Sequence, residues 1–126
     1  TLKERYPDEM RQQIELDISR AWAAGEVKMP VAQRAILDCH AFAKEIASPE
    51  DIALCHAVGQ ACGVVHANGH AIGFPVYELT AMVLRFGEDD YKEALENRVA
   101  YYIERLDYWR KHYGDYQGKW AEFMER

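Results

Sequence analysis

Apolar side chains recur every three or four residues through most of this chain, and strand-like alternation is nowhere sustained for more than a few positions. The pattern predicts an all-α, single-domain bundle of about five helices over residues 1–126. A first helix opens near Pro7–Asp8, since proline suits the first helical position and Asp8 and Glu9 suit the positive end of the helix dipole. Met10, Ile14, Ile18 and Ala21/Trp22 give it one apolar stripe, and Gly25 stops it. A second helix spans about Pro30 to Ala47. Its core face is Ala32, Ala35, Ile36, Cys39, Phe42, Ala43 and Ile46, while Gln33, Arg34, Asp38, Lys44 and Glu45 face water.

Ser48-Pro49-Glu50-Asp51 reads as the start of a third helix, with Ser48 as cap, running to about Asn68. One stripe holds Ile52, Cys55, Gly59, Cys62 and His66, and another holds Leu54, Val58, Ala61 and Val65. A helix apolar on most sides belongs in the middle of a bundle. Gly59 and Gly63 each cost about 1 kcal/mol of helix propensity against alanine, which makes sense where a neighbouring backbone passes close. Asn68-Gly69 ends this helix, both residues tolerating the left-handed conformation. A fourth helix runs from Gly73 or Phe74 to Phe86, with Pro75 in its first turn and Gly87 behind it. Between Ile52 and Leu84 the only Asp, Glu, Lys or Arg is Glu78, so the third and fourth helices form a buried central hairpin. Each arm is shorter than a membrane span and carries His, Gln or Asn, which disfavours a membrane hairpin. A long, aromatic-rich fifth helix covers about Asp89 to Tyr113, with Tyr91, Leu95, Val99, Tyr102, Leu106, Trp109 and Tyr113 inward and Asp107–Lys111 paired outside. The tail from Tyr116 to Phe123 folds back on the bundle. Tyr101, Tyr108 and Tyr116 are less committed to the core.

The net charge of −6, from 15 basic and 21 acidic residues, changes the choice of partner. Nucleic acid requires a basic face and is excluded as the main partner, whereas a basic protein suits an acidic chain. Three cysteines, an odd number without a CxxC pair, argue against a disulfide framework and for a reducing, cytoplasmic setting. Thr1–Tyr6 does not read as a signal peptide, and the lack of an initiator methionine leaves the start open upstream.

All three cysteines and four of the five histidines fall between Cys39 and His70. Imidazole and thiolate suit zinc, so Cys62, His66 and His70 are the alternative metal ligands, with Glu78 near in sequence. Gly69 breaks the helix between His66 and His70, which weakens that geometry. No cofactor is expected otherwise. Neighbours such as Cys39/His40 or Cys55/His56 point about 100° apart on a helix and make no nucleophile–base pair. A cross-helix pair such as Cys62 with His40 stays open. Glu78, alone in an apolar stretch, is either an acid with raised pKa or the partner of a His, Arg or Tyr. The structural reading of His66 and His70 is a tight turn whose imidazoles satisfy carbonyls at the end of the third helix. No phosphate-binding loop, HExxH or GxSxG motif occurs.

The passage Ala21-Trp22-Ala23-Ala24-Gly25-Glu26, an alanine-rich helix, and then Ala61-Cys62-Gly63-Val64-Val65-His66-Ala67-Asn68-Gly69-His70-Ala71-Ile72-Gly73 leading to Tyr77 resembles the all-helical immunity protein family of bacterial polymorphic-toxin systems. The resemblance covers about residues 14–86, and residues 89–126 look like an accessory end. It implies a cytoplasmic, non-catalytic protein that binds and neutralises a cognate toxin. His56, His66, His70 and Glu78 are the candidate binding residues. Two other readings stand beside it: a small metal- or cysteine-dependent enzyme with a His/Cys site, and a structural module that homo-oligomerises through its aromatic end.

Overall fold

The computed structural model describes residues 1–125, with side chains to Phe123. It is all-helical, with α1 Leu2–Arg5, α2 Arg11–Ala23, α3 Met29–Ala43, α4 Pro49–Gly63 and α5 His70–His112, followed by short 3₁₀ turns at Tyr113–Asp115 and Glu122–Glu125. Gly87 has non-helical backbone (φ 76°, ψ 171°) and splits α5 into arms 70–86 and 88–112. The break falls where the sequence places it. The second arm folds back on the first: Arg98 and Tyr102 both reach Glu78, and the Tyr102 ring meets Phe74 edge-on.

α4 is the centre. α2, α3 and α5 all pack against it. Ser48 caps it as predicted, accepting from the Asp51 N–H at 3.3 Å. Its inward residues are small: Ala53, Cys55, Ala57, Gly59, Cys62 and Gly63 are buried. The first arm of α5 is a flank and not a buried partner, with Ala81 its one buried residue.

Several expectations need correction. The first long helix begins at Arg11, because the Glu9 carboxylate accepts the Arg11 N–H at 2.9 Å and fixes the start there. Pro7 and Asp8 instead form a turn after α1, a helix the pattern did not predict. Arg5 of α1 pairs with Glu50 and Asp51 at the start of α4. The buried face of α2 is Gln12, Glu15, Ser19, Trp22 and Ala23, so Met10 and Ile14 are about half exposed. α3 ends at Ala43 and α4 at Gly63, short of Ala47 and Asn68. Gly69 is right-handed (φ −59°) and opens α5, which starts at His70, ahead of Gly73. The opening bonds of α5 span three residues each, ending with Ile72 to Gly69. Pro75 therefore follows a tight first turn.

Gly25 (φ 77°) does stop α2. Its N–H donates to the Trp22 carbonyl, and Glu26 donates to Ala21, the double closure of a left-handed helix end. The Ala23 carbonyl left over accepts from the Ala121 N–H at 2.6 Å, and Phe123 stacks on Trp22 at 6.1 Å. This is the fold-back of the tail that the sequence predicts. The stripe Val99, Leu106, Trp109 and Tyr113, expected inward, is exposed: the first arm is shorter than the second and covers only the Glu78–Arg98–Tyr102 side.

Gly87 lies in a backbone region that only glycine adopts readily. Gly87→Ala should lower the stability of the fold by about 1–3 kcal/mol in urea unfolding. An unchanged midpoint would mean that the reversal is not held by this conformation.

Candidate functional site

Two arrangements in the bundle are chemically distinct, one inside and one on the surface. The inner one centres on Glu15, which is 0% exposed and lies between α2, α3 and α4. Neither of its oxygens has a conventional hydrogen-bond donor. The thiols of Cys39 and Cys62 are the groups that can hydrogen-bond to it. Cys55 lies beside Cys39 and takes the Gln12 amide N–H at 3.5 Å. Ser19 sits next to Cys62. Burial pushes the Glu15 carboxyl up to about 7, against the lowering pull of the two thiols. Burial likewise pushes the Cys62 thiol up to about 12. The Cys39 thiol is raised by its bond with Cys55 and by burial. All three cysteines are free and buried. The Cys55 thiol is lowered instead, chiefly by its bond with Cys39, but like the other two it is buried away from solvent.

Small residues on α4 make room for rings from its neighbours. A side-chain carbon at Gly59 would meet the His40 ring at 3.0 Å, and one at Gly63 would meet His70 at 2.9 Å. The close approach predicted for these glycines is therefore by imidazoles, not by backbone. His40 stacks toward His56 (5.3 Å), which in turn meets Tyr77 (5.2 Å). Burial, with His56 and Lys44 nearby, lowers the His40 pKa. His70 Nδ1 bonds Gln60 Oε1 at 2.8 Å, and His66 stacks on Trp22 at 5.4 Å. The imidazoles of the turn thus bind a side chain and a ring, not the helix-end carbonyls.

Of the candidate residues His56, His66, His70 and Glu78, only His66 and His70 come together, their rings 5.4 Å apart, while His56 lies against His40 and Tyr77. His56 is on α4, whereas His66 lies in the turn that follows it. Glu78 is held by both nitrogens of the Arg98 fork (2.6 and 2.9 Å) and by the Tyr102 hydroxyl. Burial and this carboxylate push the Tyr102 phenol up to about 12. Among the described residues no three His, Cys, Asp or Glu side chains are placed to hold a metal. Cys62 faces Ser19 and Glu15, whereas His66 faces Trp22. Cys62 and His40 both lie beside the Glu15–Gly59 centre, but the thiol there is buried.

The outer arrangement is a groove of about 410 Å³ floored by α4 and walled by α1–α2 and the first arm of α5. Leu2, Met10, Leu16, Leu54, Val58 and Phe74 make it apolar, and Glu78 and Arg85 stand along one wall. Both charges already have partners, Arg98 and Glu50 respectively. Lys3 also lines the groove and is in no ion pair among the described residues, so the groove offers shape and apolar area with one cation at its rim. The sequence held its signal: Met10 and Ile14 are apolar residues on a helix whose core side is elsewhere. Glu15 was missed for the same reason. Counting back from Trp22 by three or four gives Ser19 and Glu15, but the aliphatic stripe draws attention to the wrong face.

The family model described as Imm-5 like putative immunity protein matches residues 1–105, and the chain belongs to this family. The match runs past residues 14–86 at both ends, so it takes in all of α1, the groove and most of the second arm of α5. No curated protein and no solved structure matches the chain significantly. No described helix is long and apolar enough to cross a membrane.

The folded chain holds the Glu15 proton to about pH 7, whereas an ordinary glutamate loses it near 4.5. Stability should therefore fall as pH rises from about 4.5 to about 7, by up to about 3 kcal/mol, and then level off. Glu15→Gln should flatten that profile and raise the melting temperature at pH 8. A pH profile shared by wild type and variant would exclude Glu15 as its source.

Proposed function

We propose that the chain binds a cognate protein toxin and neutralises it by covering a surface the toxin needs, without chemistry of its own. Membership in the immunity family supports the toxin as partner. The observation that carries the binding mode is the apolar groove over α4, which lies within the matched residues and keeps Met10 half exposed at its edge. Exposed apolar surface with charges at its rim is the composition of a protein-docking site. The burial of Cys39, Cys55, Cys62 and Glu15 supports a non-catalytic role, since no substrate reaches them. The charge of −6 suits a basic toxin, because complementary fields speed encounter. The proposed setting is the cytoplasm, where free thiols stay reduced. In this reading neither nucleic acid nor membrane is a partner.

Co-expression with the toxin domain encoded beside the gene tests the proposal. Wild type should restore growth and co-purify with the toxin. The pair Met10→Glu and Val58→Glu, with an unchanged melting temperature, should weaken the complex at least about tenfold. Neither rescue nor complex from the wild type would refute toxin binding. Full rescue by the groove variants would place the toxin elsewhere.

A further inference from the structure

The second arm of α5 carries an apolar ridge that none of the described residues covers. Val99, Ile103, Leu106 and Tyr113 follow one another at intervals of four, three and seven residues, which keeps them on one side of a helix. Ile103 is 62% exposed and Leu106 is 70% exposed. Beside them runs a shallow groove lined by Tyr91, Leu95, Val99 and Ala100. Knobs and groove thus occupy neighbouring stretches of the same helix, as self-complementary pairing requires.

Charge is divided along the same arm. Glu88, Asp89, Asp90, Glu93 and Glu96 stand against Lys92 in the first part. Arg105, Arg110 and Lys111 stand against Glu104 and Asp107 in the last part, where Lys111 pairs with Asp107 at 2.6 Å. None of those five acids is in an ion pair among the described residues. Arg105 lies over the Tyr108 ring at 4.5 Å. Two arms side by side in the same direction would set acid against acid and base against base. Two arms running in opposite directions, crossing near Ala100, would set Asp89 and Asp90 of one copy level with Arg110 and Lys111 of the other. The same crossing brings Leu106 of each copy near Leu95 of its mate.

We propose that this ridge is a homodimer interface, in which the second arms of two copies pair antiparallel about a two-fold axis near Ala100. The proposal is independent of the toxin. The pairing buries the ridge, and the acid–base division fixes its direction.

Analytical ultracentrifugation of the full chain in low salt should give twice the 14.6 kDa chain mass at high micromolar concentration. Ile103→Glu with Leu106→Glu should raise the dimer dissociation constant at least about tenfold while helical content is kept. A second measurement reads direction. The native thiols are buried, so Ala100→Cys supplies an accessible one, and diamide should cross-link it to its mate as a covalent dimer. Glu88→Cys should not cross-link, because antiparallel arms hold its mate about 36 Å away. A monomer at every concentration overturns the proposal, as does a dimer in which Glu88→Cys links as readily as Ala100→Cys. A monomer whose ridge variants lose a toxin complex would overturn it too, and give this face to the toxin.

Discussion

The fold depends on how little side chain α4 presents to its neighbours. Ala53, Cys55, Ala57, Gly59, Cys62 and Gly63 are its buried positions. A helix this slim can be approached from three sides, and α2, α3 and α5 do so. The space left by its glycines takes the His40 and His70 rings. A larger residue at either glycine would displace a ring that α3 or α5 contributes to the core. The helix propensity lost at Gly59 and Gly63 is thus offset by packing across helices.

That slim centre also accounts for the polar interior. Small residues alone fill little volume, so Glu15, Ser19 and Gln12 of α2 complete the layer with the three thiols. A carboxyl in such surroundings stays protonated further into the neutral range, which lets it lie among apolar groups without a charge partner. At the other edge of α4, Leu54 and Val58 are only partly covered, and the groove between α2 and α5 follows. Core and groove are two consequences of one helix.

The sequence made the punctuation legible. Ser48, Gly25 and Gly87 each stand where a cap or a left-handed residue is needed, and each works locally. The Asp107–Lys111 pair forms at 2.6 Å because i,i+4 spacing alone determines it. Glu78 meets Arg and Tyr, one of the two roles read for it. Which face of a helix turns inward was harder to read. For α2 the aliphatic stripe Met10–Ile14 lost to Trp22, whose area outweighs theirs once it packs with Val65 and Ala32. For the second arm of α5, regular apolar spacing predicted burial, yet the first arm covers only its Arg98–Tyr102 side. Spacing reports that a face is apolar, not what covers it. Of the four candidate binding residues, the turn between α4 and α5 brings His66 and His70 together, while His56 and Glu78 stand one on each helix.

In the proposed function the groove over α4 is the surface a toxin meets. Hydrogen exchange of the chain with and without its cognate toxin measures this most directly. The account predicts slower exchange on binding in residues 1–16 and 74–85, with little change in the tail. Protection confined to residues 95–120, or none anywhere while the toxin is held, would contradict it.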